Sequence, residues 1–330
     1  MKIRRFQKKD SGAWDRLVES SWNGTFLHTR RYLSYHGNRF QDASLVIENE
    51  QGRPVAVLPA AADPHDPQSV ISHPGITYGG MVHQGGLRGE DMVGVLQQVC
   101  EHYSKAGCNS LTYKAVPVCY QRIPAGDDRY AIFRLNGRLI RCELSAVIDL
   151  SSRSQPSGRR KRCLAKAAGS GLEIISGNKL LPDFWRLLGE TLRQRHNASP
   201  VHSLTDITKL SKLFPENMEC VVAAQGSKLV AGALLYKTHS VIRTQYMASD
   251  ENGRKTGALD LVLEHSIQRA KETGFRYFDL GTSNMEQGRV LNQNLYQFKM
   301  EFGAGGVAFE QFRIILQGTD KTKELTNTKK

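Results

Sequence analysis

The 330-residue chain contains no run of eighteen apolar residues, so its sequence offers no membrane-crossing helix. Met1-Lys2-Ile3-Arg4-Arg5-Phe6 is basic, but no apolar stretch follows it, which excludes the pattern of a secretory signal. The six cysteines (Cys100, Cys108, Cys119, Cys142, Cys163, Cys220) form no CxxC pair and no metal-ligand spacing. They read as scattered reduced thiols in a soluble, cytoplasmic protein rather than as a disulfide framework or zinc site. No nucleophilic triad, Walker motif or dinucleotide fingerprint is present, which removes the commonest hydrolase, nucleotidase and dehydrogenase signatures. Acidic residues are also short: 32 Asp and Glu face 45 Lys and Arg, a net charge of +13. That field favours polyanionic partners: RNA, nucleotide-linked substrates, phosphate-bearing cofactors or an anionic membrane face. It does not choose among them, or between them and an ordinary basic surface.

What is present is a patterned globular chain, 40% hydrophobic and long enough for two domains of ordinary size. Asp10 or Ser11 caps a first helix carrying Trp14, Leu17 and Val18, and the segment Trp22–Thr29 leads into a second helix, Arg30 to His36. Strands are expected at Ala43–Glu48 and Val55–Ala60, then a bent Gly- and Pro-bearing stretch, Ile71–Met81. Helix Glu90–Lys105 places Met92, Val95, Leu96, Val99 and Tyr103 on one face and closes at Gly107, before strand Ser110–Val116. The second half repeats the layout: strands Cys220–Ala224, Leu229–Lys237 and Val241–Ala248, helix Ala258–Thr273, then strand Arg276–Leu280. The recurring order strand, strand, helix, strand argues for a duplicated unit. Ser151–Gly158 is rich in Ser, Pro and Gly and reads as the linker between residues 1–150 and 159–316; 317–330 reads as a polar, disordered tail.

Three stretches carry candidate chemistry. In GFRYFDLGTSNMEQGRVLNQNLYQFKMEFG (274–303), a short strand ends in a polar loop that includes Ser283 and Asn284. A helix follows with Leu291, Leu295, Phe298 and Phe302 on one expected buried face and Gly303 as its C-cap. Lys299 lies beside that stripe; it is either a cation at a ligand site or an ordinary solvated lysine. Arg159 to Lys166 is a run of cations free of acids, suited equally to phosphate or RNA and to a solvated helix face. Gly253-Arg254-Lys255-Thr256-Gly257 precedes a helix and, as a basic loop, suits a pyrophosphate.

Meander strands, a basic Gly-bearing loop, a helix and a strand ending at a ligand site resemble the GNAT acyltransferase fold. More narrowly, FDLGTSNMEQGRVLNQNLYQFKMEFG looks like the signature of FemAB-like acyltransferases, which contain two GNAT-like domains. The Trp22–His36 segment, HPGITYGG, the basic helix at Arg159, ETLRQRH (190–196) and TQYMAS (244–249) are similar in kind. The fold class implied is α/β (α+β): two tandem GNAT-like domains, each a mixed, mainly antiparallel sheet flanked by helices. The resemblance implies metal-free transfer of an acyl or aminoacyl group to an amine, with no tightly bound cofactor. The donor is an acyl thioester such as acyl-CoA, or an aminoacyl-tRNA as in the peptidoglycan-bridge members. The acceptor is an amino acid, an amino sugar such as a nucleotide-sugar, or another cell-envelope precursor.

By the same resemblance Lys299 is expected at the reacting carbonyl or a nearby phosphate, Tyr246 facing the acceptor, and Arg195 on the acceptor's phosphates. Asp279 or His196 is the candidate acceptor of the ammonium proton. His28, Tyr32, His36, Tyr78 and Gly79 are candidates for the acceptor cleft in the first domain, Ser283 and Asn292 for further substrate contacts. Arg254, Lys255, Thr256 and Gly257 are the candidate donor-phosphate residues. Two departures stand out. The 253–257 stretch lacks the Gln/Arg-x-x-Gly-x-Gly/Ala pattern of acetyl-CoA users, and the long coiled-coil insertion of some tRNA-dependent members is absent. A non-catalytic RNA- or phosphate-binding protein on a decayed transferase scaffold is the alternative from another class.

Overall fold

The computed structural model describes residues 1–316; the expected tail, 317–330, lies outside the described residues. In the first half the chain forms β1 (Lys2–Arg5), α1 (Ser11–Glu19), α2 (Arg30–Leu33), β2 (Leu45–Glu48), β3 (Pro54–Leu58), β4 (Ala61–Asp63), β5 (Asp66–Ile71), β6 (Val82–His83), α3 (Glu90–Lys105), β7 (Ser110–Lys114), α4 (Asp127–Arg134) and β8 (Arg138–Asp149). The second half adds α5 (Gly158–Ala168), β9 (Glu173–Ser176), α6 (Leu181–His196), α7 (Leu204–Leu213), β10 (Met218–Gln225), β11 (Lys228–Lys237), β12 (Val241–Ser249), α8 (Glu251–Thr256), α9 (Ala258–Glu272), β13 (Tyr277–Thr282), β14 (Asn284–Met285), β15 (Val290–Leu291), α10 (Gln293–Met300) and β16 (Gly305–Ile315).

The strong sequence periods become elements with the expected ends. α3 buries Met92, Val95, Leu96, Val99 and Tyr103, opens with Glu90 and Asp91 and closes near Lys105, matching the helix dipole. α7 starts with a capping box in which Ser203 and Asp206 satisfy each other's backbone N–H groups. The expected helix over Arg30–His36 is shorter: α2 ends at Leu33 and a 3₁₀ turn carries Ser34 to His36.

A small antiparallel sheet, β1-β2-β3-β6, sits beside one ten-stranded sheet ordered β4-β5-β7-β16-β8-β13-β12-β11-β10-β9. Within the large sheet the parallel neighbours are β5 with β7 and β12 with β13. β16 lies between β7 and β8, and β8 in turn pairs with β13. Backbone hydrogen bonds therefore run without a break from one half of the chain to the other. One apolar core joins α2 and its surroundings to α6, α7, β10 and β11. A second packs α9 on the opposite face of the second half, and a third lies under α3 in the first half.

Two further expectations are corrected, and one alternative left open is decided. Residues 251–256 form α8 rather than an open loop, because Asp250 caps Gly253 N–H at 2.7 Å and starts a helix there. The stripe expected along 291–302 breaks: Leu291 belongs to β15 and Leu295 is 37% exposed, leaving Phe298 and Phe302 to pack inward. Lys299 is not a solvated neighbour of that stripe but is itself buried, 2% exposed.

Candidate functional site

The site forms where two neighbouring strands part. β12 and β13 pair only through Val241–Arg243 and Tyr277–Asp279, although β12 continues to Ser249 and β13 to Thr282. Both strands are irregular at this level. On β12, Arg243 faces Tyr236 of β11 and Tyr246 faces Leu234, leaving Gln245 as an extra residue. In a regular strand residues 243 and 246 point to opposite faces; the bulge turns Tyr246 onto the face of Arg243. On β13 the register against β8 shifts between Asp279 and Thr282. Gly281 supplies the positive φ of +84° that this shift requires.

At the root of the split, Asp279 is fully buried and fully engaged. Its Oδ2 accepts from Tyr120 Oη and Arg243 Nη1, both at 2.6 Å. Its Oδ1 accepts from Ser145 Oγ at 2.5 Å and Gly281 N–H at 2.7 Å. Burial alone would raise its pKa, but the Arg243 guanidinium and these donors hold it below the usual carboxylate range. A carboxylate so occupied is a poor proton acceptor. The geometry of Asp279, expected from the sequence as a candidate proton acceptor, is that of an anchor joining Tyr120 and Ser145 of the first half to Arg243 of the second.

Lys299, on α10, reaches back across the polar loop. Its Nζ donates to Gly281 O at 2.9 Å and Thr282 O at 2.7 Å. Burial pushes its pKa down to about 8, with Asp279 opposing and Arg243 reinforcing that fall. A Cβ placed on Gly281 would lie 3.7 Å from Lys299 Nζ, 3.7 Å from Thr244 O and 3.8 Å from Arg243 Nη2. Two cations and the parted backbones therefore converge on a position that carries no side chain. Beside it Ser283 is 3% exposed, and its Oγ has no hydrogen-bond partner among the described residues.

Tyr246, half-buried, stacks edge-on to Trp185 of α6 with ring centroids 5.0 Å apart. Its hydroxyl lies 2.6 Å from His202 Nδ1, and His202 Nε2 lies 3.0 Å from Tyr35 Oη. Burial pushes the Tyr246 phenol up to about 12.

The first-domain candidates are placed differently. His28 is fully buried; its Nδ1 accepts Thr25 N–H at 2.9 Å and its Nε2 lies 3.2 Å from Gly79 O. Both ring nitrogens are thus used to hold the HPGITYGG turn. Gly79 is there because a Cβ would meet Ser72 O at 1.9 Å. Tyr78 is buried against Tyr120, centroids 4.6 Å apart, and Tyr32 packs among Phe26, Tyr35 and Phe214. These residues build the wall between the halves rather than an open surface. Asn292 caps α10 through Leu295 N–H. Arg195 is exposed on the last turn of α6, and the side chain of His196 lies outside what the structure describes.

The four donor-phosphate candidates are engaged locally. Arg254 donates to Ser249 O, exposed Lys255 pairs with Glu251, and Thr256 Oγ1 donates to Asn252 O. A Cβ on Gly257 would sit 3.0 Å from Cys163 O, so α5 lies over the start of α9. Arg160 fastens α5 there by pairing with Asp260 of α9 and, at 3.0 Å, with Glu301. Lys255 also borders a groove of about 980 Å³ between α6, the β10–β11 turn and α8, whose walls include Asp183, Arg186, Glu190, Lys228 and Asp250.

Sequence reasoning missed His202, Arg243, Tyr120 and Ser145. A cation inside the apolar strand VIRTQYM was a signal for Arg243, since a buried guanidinium needs a carboxylate. The loop SPVHS offers no such mark for His202; only the fold brings it to Tyr246.

Residues 151–298 match a family described as an acetyltransferase (GNAT) domain. Among curated proteins nothing matches the sequence. Among solved structures the chain is similar to FemX, at 12% identity over 96% of this chain and 98% of that one, with a TM-score of 0.67. It is also similar to L-PGS from Bacillus licheniformis, at 11% identity over 97% and 94% with a TM-score of 0.61. A third is a tandem GNAT protein from the clavulanic acid biosynthesis pathway, at 11% identity over 97% and 99% with a TM-score of 0.53. At such identities these likenesses show the fold alone, and the family match covers residues 151–298. Residues 151–298 are thus a GNAT acetyltransferase domain, in a chain whose whole fold is shared with FemX and the tandem GNAT protein.

Proposed function

We propose that the protein transfers an acyl group from an acyl thioester such as acyl-CoA to the amino group of an amino acid, amino sugar or cell-envelope precursor. The carrying observation is the parted β12–β13 pair with the buried Lys299 ammonium at its apex. In the reaction the amine nitrogen bonds to the acyl carbon, negative charge builds on the carbonyl oxygen, and the leaving group departs with its bonding pair. A cation in a dry, preorganised pocket stabilises that oxyanion far more than it would in water. Two of the three Lys299 protons are committed to carbonyls, which fixes the group and leaves one for the substrate. Tyr246, aimed to the same face by the bulge, is the group for proton transfer. Residues 1–150 then supply the acceptor side and 159–316 the donor side. The polar groove beside α8 has the volume of a small-ligand site and is a place for the donor's nucleotide. Thermal-shift binding with acetyl-CoA and longer acyl-CoAs tests this reading: donors that bind the fold raise its melting temperature. No shift and no product with any thioester overturns it.

A second reading, aminoacyl transfer from tRNA, is favoured by one observation. α5 covers the start of α9, where a pyrophosphate would otherwise meet backbone N–H groups, and presents Lys161, Arg162 and Lys166 outward. Total tRNA at moderate salt belongs in the same assay: a shift with tRNA alone puts aminoacyl transfer first, and activity surviving ribonuclease removes it.

A further inference from the structure

N-acyl transfer must dispose of a proton. The attacking nitrogen loses one as the N–C bond forms, and Asp279, with both oxygens doubly occupied, has no capacity to take it. The other end of the site contains a chain of three groups that does. Tyr246 Oη, His202 and Tyr35 Oη follow one another at 2.6 and 3.0 Å, running from the split strand of the second half to the 3₁₀ turn of the first. His202 is 9% exposed and is held from both sides. Next to it Ser203 caps α7, and Asp206 of that helix pairs with Arg39 of the first half at 2.7 Å. The Tyr35 ring stacks on the imidazole at 5.8 Å, and the Tyr246 ring meets it edge-on at 5.8 Å.

We propose that His202 is the proton acceptor behind Tyr246, with Tyr35 of the first half fixing its tautomer. This rests on the acyl-transfer reading. Nε2–H donates to Tyr35, which leaves Nδ1 unprotonated to accept from Tyr246. As the amine attacks, its proton passes to Tyr246 Oη while the phenol's own proton passes to His202 Nδ1. The imidazolium then returns its proton by the same path to the departing thiolate or alkoxide, so donor and amine become amide and protonated leaving group. His202 touches Tyr246 and not the reacting atoms, so it is a positioning residue. The charged and titratable groups around it are Asp206 on α7, which favours the imidazolium, Arg39, which opposes it, and Tyr35, His36 and Tyr246. Burial lowers its pKa, so the accepting form prevails near neutrality.

The test is His202→Gln, which keeps a polar side chain of similar reach but cannot carry a proton. The expected result is a fall in kcat of about a hundredfold or more, with KM within a few-fold and an unchanged melting temperature. The acid limb of the kcat profile should vanish with it, and Tyr35→Phe should give a smaller loss of the same kind. Imidazole ¹⁵N spectra of the native protein should show Nδ1 unprotonated and Nε2 protonated. Undiminished kcat in His202→Gln, an acid limb that survives, or the opposite tautomer overturns the proposal. A native protein that makes no product with any donor instead overturns the acyl-transfer reading.

Discussion

At the residue scale, two buried charges behave in opposite ways. Asp279 is ionised because every one of its bonds favours the anion, and Arg243 depends on it. Asp279→Ala would leave a buried guanidinium uncompensated, a loss on the order of 3–5 kcal/mol that chemical denaturation should show. Lys299 is a buried cation with neutral partners, so burial works against it. Lys299→Met, which keeps length and removes the charge, should lower kcat about a hundredfold or more. Near-normal turnover in that variant removes it from the mechanism. Its pH behaviour separates function from stability. With a pKa near 8 in the fold and about 10.4 when unfolded, the unfolded chain binds more protons between those values. Stability should therefore rise across that window while a turnover that needs the ammonium declines above about pH 8. Lys114, likewise lowered to about 8 by burial, adds to the stability trend with the same sign.

At the scale of elements, the decisive pieces are the two bulges and the pair α5–α9. Gln245 and Gly281 were visible as letters, but a bulge is a relation between two strands, and nothing local in TQYMAS announces that its alternation is interrupted. The cation run was visible too, and its sequence reading left two roles open. The structure divides them: Arg160 turns inward over the Phe298 and Phe302 rings, at 4.5 and 4.3 Å, to join Asp260 and Glu301. Lys161, Arg162 and Lys166 face solvent. Arg160→Ala should therefore cost on the order of 3 kcal/mol of stability. The triple change Lys161→Gln, Arg162→Gln and Lys166→Gln should leave the melting temperature within a degree or two. If tRNA is the donor, the same triple variant should lower its affinity and flatten the salt dependence by about three contacts. An unaltered salt slope would place RNA elsewhere or nowhere.

At the scale of the whole molecule, the two halves share a sheet, a core and the Asp279 knot. Removal of residues 305–316 would strip the shared edge from β7 and β8 at once, and the truncated chain should not give a cooperative unfolding transition. Survival of that transition would show that each half stands alone. Acid should also act on the molecule as a unit. Burial lowers the pKa of His28, His36, His83 and His239 to about 4 and that of His73 to about 3. The fold refuses protons that the unfolded chain takes up below its ordinary histidine pKa of about 6.5. Stability should consequently fall as pH drops from there toward 4, read as a falling denaturant midpoint. A flat midpoint across that range would contradict the buried neutral histidines.

The sequence by itself determined which segments are helices and strands where the period was strong, as in α3, α9, β11 and β12. It also marked the strand–loop–helix around Lys299 and the duplicated order of elements, because periodicity, caps and turn residues act over a few residues at a time. It could not show β8 and β16 as the bond between the halves, since their pairing joins residues far apart in the chain and their alternation is only half-buried. Nor could it turn His28, Tyr78 and Gly79 from cleft candidates into wall, or set His202 beside Tyr246. Whether a side chain is a ligand, an anchor or a proton carrier depends on which of its atoms are already bonded and on how much water surrounds them. Only the tertiary packing fixes both.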